Sequence, residues 1–219
     1  VSHELRTPLS PIKSAAETLL DGGRLVPEVT TRFLDIIVKH SNRLTLLIDD
    51  LLLLARLDSG RVELKLELVP LRAAAQEALD DAALMARARG VSLENEVPGD
   101  LAVPADPAQL RQVFANLIDN AIKYGRSEGR VVVQGRAVEG KRVEIAVRDD
   151  GPGIPPEASA RIFERFYRVD KARSREQGGT GLGLAIVKNV VQAHSGDVRV
   201  ESTVGAGTAF IITVPGVRE

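Results

Sequence analysis

The stretch Gly178-Gly179-Thr180-Gly181-Leu182-Gly183-Leu184-Ala185-Ile186-Val187-Lys188 packs four glycines into six positions and runs straight into an apolar segment. That is the pattern of a loop whose bare backbone can approach a ligand before it becomes a helix. The first N–H groups of such a helix have no intrahelical partner, and its dipole is positive at that end, so it suits phosphate. The spacing is neither that of a P-loop nor that of a dinucleotide fingerprint. Taken alone, the cluster also reads as a flexible loop with a helix start, so its meaning depends on the rest of the chain.

The chain has 219 residues, enough for one large domain or two modest ones. It is 44% hydrophobic but only 3% aromatic, with no Trp, so any core is built from Leu, Val, Ile and Ala. The absence of Cys removes disulfides, thiolate catalysis and cysteine metal sites, and suits a reducing compartment. A net charge of -1 argues against a nucleic-acid surface. No apolar run is long enough to span a bilayer. The chain opens on Val1, which reads as an excised fragment. The expectation is a cytoplasmic portion whose parent reaches a membrane only through segments upstream of Val1.

Residues 1–60 read as a helical hairpin. Leu5, Leu9, Ile12, Ala16 and Leu19 recur at helical spacing, with Pro8 and Pro11 expected to distort the helix near His3, and Asp21-Gly22-Gly23 ending it. A second helix is expected from Pro27 to Asp58. Phe33, Ile37, His40, Leu44, Leu47, Leu51 and Leu54 form a heptad seam, widened by Ile36, Ile48, Leu52 and Ala55. A hairpin this apolar cannot cover both stripes alone, so pairing of two hairpins into a four-helix bundle, a homodimer, is expected. Packing of the hairpin on the chain's own second half is the alternative. His3 lies beside the stripe with Glu4 adjacent. A carboxylate there can take or orient one ring proton and leave the other nitrogen free to attack. His40 reads as a structural seam residue, and His194, before Ser195-Gly196, as a helix C-terminal position.

Residues 61–70 read as a linker and 71–219 as a second domain. A helix over Leu71–Arg89 and a strand over Val91–Val97 are expected. Asp106-Pro107-Ala108-Gln109 opens a further helix, with Asp106 as N-cap and Gln109 placed for a capping box. That helix buries Leu110, Val113, Phe114, Leu117, Ile118 and Ala121. Asn116, Asn120, Lys123 and Tyr124 share its adjacent side, where they could hold a metal ion, phosphates and a base. Strands over Arg130–Val138 and Arg142–Asp149 make a hairpin. Asp149-Asp150-Gly151-Pro152-Gly153-Ile154 then puts an acceptor-only carboxylate at a strand end, which suits a purine amino group. Residues 155–180 read as a basic lid with Arg161, Arg165, Arg168, Lys171, Arg173 and Arg175, although interleaved acids make much of it ordinary surface. Strands over Asp197–Thr203 and Thr208–Val214 close an α/β sandwich with helices on one face of a mixed sheet.

The ordered set of motifs resembles the sensor histidine kinases of two-component signalling over essentially the whole chain. It runs from His-Glu-x-x-Thr-Pro through Asn-x-x-x-Asn-Ala-x-Lys-Tyr, Asp-x-Gly-x-Gly-Ile and Phe-Glu-Arg-Phe-Tyr-Arg to Gly-Thr-Gly-Leu-Gly-Leu and Gly-x-Gly-Thr. The resemblance implies a dimerisation and phosphoacceptor hairpin, then an ATP-binding domain of the kind shared with DNA gyrase, Hsp90 and MutL. It implies that His3 is phosphorylated from ATP, that Glu4 assists, and that Thr7 serves phosphatase activity toward the partner, a response-regulator receiver domain. Asn120, supported by Asn116, is the implied Mg²⁺ ligand. Lys123 is implied at the phosphates, Tyr124 and Asp149 at the adenine, and Arg168 near the γ-phosphate. Gly151, Gly153, Ile154, Gly179, Thr180, Gly181, Leu182, Gly183 and Thr208 are the implied nucleotide-box residues. An ATP-hydrolysing machine like gyrase and Hsp90 is disfavoured, because those relatives place a Glu at the position of Asn116 and an amide cannot serve as a base. A silent interaction module is disfavoured by the intact His3 and nucleotide motifs.

Overall fold

The computed structural model describes residues 2–21, 26–59, 63–169 and 179–216. The glycines that were expected to end the first helix, and Lys171, Arg173, Arg175 and Gly178 of the lid, lie outside the described residues. The hairpin consists of α1 (Ser2–Leu20) and α2 (Pro27–Asp58). Helix α1 stays helical through both prolines. Pro8 has no N–H to give to the Glu4 carbonyl, nor Pro11 to that of Thr7. Separately, the Thr7 hydroxyl donates to the His3 carbonyl at 3.1 Å.

The heptad seam of α2 divides between two neighbours. Its first half, Phe33 to Leu44, is half-buried and belongs to the α1–α2 pair. From Leu47 onward it turns into the second domain. Leu47 and Leu54 are fully buried in one continuous core with Leu117, Ile118 and Ile186, and Leu51 and Leu57 pack against that core. Intrachain packing thus takes the lower seam that was expected to face a second hairpin. A neighbouring stripe, Leu34, Val38, Ile48 and Leu52, stays exposed, as do Leu9 and Leu20 of α1.

The second domain begins with β1 (Glu67–Pro70) and α3 (Leu71–Ala88), followed by β2 (Ser92–Glu96), β3 (Ala102–Ala105) and α4 (Pro107–Tyr124). Then come β4 (Arg130–Val138), β5 (Arg142–Asp149), a single helical turn α5 (Pro156–Ser159), α6 (Gly183–Ala193), β6 (Asp197–Thr203) and β7 (Gly207–Pro215). Five strands form one sheet in the order β2-β4-β5-β7-β6, with β2 parallel to β4 and the other pairs antiparallel. The expected mixed sheet is present. Helices α3, α4 and α6 cover one face, where Val143, Ile145 and Val147 alternate inward as expected. The other face carries charged pairs around a small buried apolar cluster of Ala146, Ala209 and Ile211: Glu144 is clamped there between Arg136 and Arg199. The two strands absent from the sequence reading, β1 and β3, pair with each other as an antiparallel ribbon. Each has only four residues, too short for an alternation to show.

Helix α4 starts where expected, with Asp106 Oδ1 accepting the Gln109 N–H at 3.1 Å. The reciprocal half of the capping box is not formed. The Asp106 N–H donates to Nε2 of His194 at 3.0 Å, and Nδ1–H of the same buried ring donates to the Val190 carbonyl at 2.8 Å. His194 therefore caps the end of α6 and also ties it to the start of α4.

Candidate functional site

Helix α4 forms the floor of the site. Asn116 to Gly125, the residue at its C-terminal end, spans about 13 Å of helix axis at 1.5 Å per residue. At the Asn116 end stands the start of α6. A side-chain carbon placed on Gly183 would lie 3.0 Å from Asn116 Oδ1, so the loop rests directly on that amide. Asn116 Nδ2 is buried and has no hydrogen-bond partner among the described residues. A buried donor without a partner is costly unless a ligand supplies an acceptor. Helix α6 has no side-chain cap at Leu182, which leaves its first N–H groups pointing into the same region. Thr180 Oγ1 accepts the Leu182 N–H at 3.2 Å and so holds the turn in place.

At the Gly125 end stands Asp149, the last residue of β5. Its Oδ1 accepts the Gly151 N–H at 2.8 Å. Burial pushes its carboxyl up from 3.8 to about 6; the Gly151 and Thr208 N–H groups pull it back, while Asp150 adds to the rise. A side chain on Gly151 would strike that same Oδ1 and the Gly125 backbone. Gly153 has φ +73° and lies against the Thr203 carbonyl, where a Cβ would come within 2.3 Å. Here packing against the β6–β7 turn, rather than ligand approach, demands the glycine. The Ile154 N–H donates to Ser202 Oγ at 2.8 Å, and Ser202 Oγ lies 3.0 Å from Thr208 Oγ1.

Between these ends lie Asn120, Lys123 and Tyr124. Lys123 Nζ is held by Asp119 at 2.7 Å. The described part of the lid is engaged with the chain itself. Arg161 pairs with Glu164 and lies over the Tyr167 ring, and Arg165 reaches both oxygens of Asp58 on α2 at 2.6 Å. Arg168, only 7% exposed, donates to the Gly179 carbonyl at 2.7 Å and stands 3.5 Å from Glu4 Oε2. Arg43 of α2 donates to that carbonyl as well, at 3.1 Å, and Thr180 Oγ1 donates to Asp50 Oδ2 at 3.1 Å. Burial raises the Asp50 carboxyl above its ordinary value. Gly181 takes φ +74° with the Phe166 backbone 3.0 Å from where its Cβ would be.

His3 lies on the first turn of α1. Its side chain is 77% exposed, with Nδ1 3.8 Å from Glu4 Oε1. The residues read from sequence thus gather as one group along α4, and His3 and Glu4 reach it through Arg168. Arg43, Asp50 and Asp58 escaped the sequence reading, since charges on a helix face ordinarily meet only solvent. The signal that could have found them is their position on the flank of the buried Leu47–Leu54 seam.

The fold and these side chains define a nucleotide-binding α/β sandwich docked on a helical hairpin with an exposed histidine. A family model described as "Histidine kinase-, DNA gyrase B-, and HSP90-like ATPase" matches residues 105–218, and one described as "His Kinase A (phospho-acceptor) domain" matches residues 1–60. The sensor protein kinase WalK of Staphylococcus saprophyticus is 39% identical over 218 residues, covering 98% of this chain. The sensor histidine kinase WalK of Bacillus subtilis is also 39% identical, over 217 residues and 98% of this chain. The chain spans 35% of the length of either relative. The crystal structure of full-length ShkA in complex with AMPPNP superposes with a TM-score of 0.78 at 32% identity, covering 100% of this chain and 45% of that one. This chain belongs to the sensor histidine kinase family. Among the described residues no helix is long and apolar enough to cross a membrane.

Proposed function

We propose that this chain binds Mg²⁺-ATP, phosphorylates its own His3, and passes the phosphoryl group to an aspartate of a response-regulator receiver domain in two-component signalling. The observation that carries the reading is the link between acceptor and nucleotide loop. His3 is exposed beside Glu4, and Glu4 faces the arginine that holds the Gly179 carbonyl. In this reading residues 1–60 are the phosphoacceptor and dimerisation hairpin, 61–70 the linker and 71–219 the ATP-binding domain. The exposed stripe of Leu34, Val38, Ile48 and Leu52 supports a homodimer, because an apolar helix face of this length calls for a partner helix. The AMPPNP held by ShkA supports an adenine nucleotide as ligand.

Tyr124 packs on the adenine and Asp149 accepts its amino hydrogen through the oxygen that Gly151 leaves open. The first turn of α6, with Gly179, Thr180, Gly181, Leu182 and Gly183, receives the phosphates, and Asn116 Nδ2 gives its unspent hydrogen to a phosphate oxygen. Ile154 and Thr208 flank the base end. Lys123 exchanges Asp119 for a phosphate oxygen. The donor set fits magnesium. Among the described residues there is no cluster of three or more carboxylates, histidines or cysteines, and Mg²⁺ needs only one or two protein oxygens besides phosphates and water. Asn120, supported by Asn116, supplies them, and the bound ion offsets phosphate charge.

Glu4 stands at Nδ1 of His3, so Nε2 is the attacking atom. The Nε2–P bond forms as the bond from the γ-phosphorus to the ADP oxygen breaks, and the Nδ1 proton passes to Glu4. Thr7, one helical turn on, is assigned to phosphatase activity toward the regulator. His3→Gln is expected to abolish acid-labile label from γ-labelled ATP while leaving ATP affinity within twofold. Retained acid-labile label in that variant sinks the assignment.

A further inference from the structure

We infer that Asp50 is a positioning residue for the phosphate loop: from the hairpin helix α2 it fixes the Thr180 hydroxyl, and so holds the turn into α6 ready for a nucleotide while the two domains are docked. The inference rests on the reading of that turn as the seat of the ATP phosphates. It deepens the reading by making nucleotide affinity depend on a side chain of the other domain.

In Gly179-Thr180-Gly181 one threonine stands between two glycines. Thr180 is therefore the residue of the three whose side chain can anchor the turn. The backbone beside it needs an anchor: Gly181 takes φ +74°, a conformation that glycine enters and leaves at little cost. A hydroxyl has one hydrogen to give and lone pairs with which to accept. Thr180 gives its hydrogen to Asp50 Oδ2 at 3.1 Å, across 130 residues of chain, and accepts the Leu182 N–H at 3.2 Å. With the hydrogen committed to the carboxylate, a lone pair is left facing Leu182. The Ile186 N–H donates to the Leu182 carbonyl at 2.9 Å and opens α6. The N–H groups of Gly183, Leu184 and Ala185 then have no intrahelical acceptor, and their direction is set by the turn that Thr180 holds. Asp50 is itself held in place. It lies three residues after Leu47 and four before Leu54, both fully buried in the core that contains Leu182 and Ile186. Burial raises its carboxyl above the ordinary value, and among the described residues Thr180 is the one side chain that donates to it. A carboxylate so placed is costly to leave unpaired. Moving α2 off α6 breaks this bond. Because one bond serves both docking and loop order, each favours the other by the same factor: ATP tightens the dock, and a shift of α2 loosens ATP.

Titration of the whole chain with AMPPNP in the presence of Mg²⁺, and separately with adenosine, tests the assignment. D50A is expected to raise the Kd for AMPPNP about tenfold, the weight of one hydrogen bond to a charged group. The Kd for adenosine is expected to stay within about twofold, because the base is held at the far end of α4 and adenosine has no phosphate to place. D50N keeps an oxygen for the Thr180 hydroxyl and is expected to hold AMPPNP within about threefold of the unaltered chain. In a Thr180→Val chain, which has no hydroxyl to fix, D50A is expected to add less than about twofold. An unchanged or lowered Kd for AMPPNP in D50A refutes the positioning role, since a lowered value is what charge repulsion between Asp50 and the phosphates would give. An equal loss for adenosine, or losses that add in the double variant, also refutes it and leaves Asp50 as a residue of the dock alone. Failure of the unaltered chain to bind AMPPNP removes the nucleotide reading itself, and the inference with it.

Discussion

Replacing Asp149 by Asn is expected to stabilise the folded chain and to weaken its hold on nucleotide at the same time. Burial lifts the Asp149 carboxyl from 3.8 to about 6. One pKa unit corresponds to about 1.4 kcal/mol, so holding the group ionised at pH 7.5 costs up to about 3 kcal/mol. Solvent reaching this incompletely buried carboxylate reduces that to about 1–2 kcal/mol. The sign follows from a folded-state pKa above the unfolded one. The favourable contribution is full below 3.8 and is lost as pH rises through about 6. An amide of the same shape keeps the Gly151 hydrogen bond and carries no charge. D149N is therefore expected to raise Tm by about 3–6 °C at pH 7.5, and the gain is expected to shrink toward zero at pH 4. ATP affinity is expected to fall by at least about tenfold if the amide N–H₂ meets the adenine amino group, donor against donor. In the unaltered chain the same linkage weakens ATP binding as pH falls through 6, because the amino hydrogen favours the ionised carboxylate. Calorimetric unfolding at the two pH values and titration with ATP measure both effects. A Tm at pH 7.5 that is unchanged or lowered refutes burial as the cause of the shift, and undiminished affinity refutes the base contact.

Two further outcomes test the packing. Gly153→Ala puts a Cβ 2.3 Å from the Thr203 carbonyl at φ +73°; it is expected to cost at least about 2 kcal/mol and lower Tm by about 4–8 °C, and a fall below about 1 °C contradicts the geometry. His194→Ala removes both the acceptor for the Asp106 N–H and the donor to the Val190 carbonyl. A loss of about 1–3 kcal/mol in urea unfolding is expected, with ATP affinity unchanged; no loss means that Gln109 can take over the Asp106 N–H and that the ring is not the tie.

The long elements were legible because their signals are local. The seam of α2 and the apolar face of α4 each repeat over several turns, and both helices start at the prolines read from sequence. The strands β4 and β5 also run between the bounds their alternation implied. The four-residue ribbon strands carried no such repeat. The capping box of α4 was half right, because the partner that won the Asp106 N–H is 88 residues away and nothing near Asp106 announces it.

The sequence by itself determined which chemical groups are present and which of them share an element: Asn116, Asn120, Lys123 and Tyr124 on one helix side, Asp149 at a strand end, His3 beside Glu4. Periodicity and turn chemistry are properties of neighbouring residues, so one chain suffices to read them. Only the tertiary structure decided what the elements do to one another. It turned Leu47 and Leu54 inward, left Leu34, Val38, Ile48 and Leu52 outside, and brought Arg43 and Arg168 onto the one carbonyl of Gly179. Each of those outcomes depends on which helix face meets which partner, and the Arg43 contact closes across 136 residues. That choice is made by the packing of the whole core, and no local pattern encodes it.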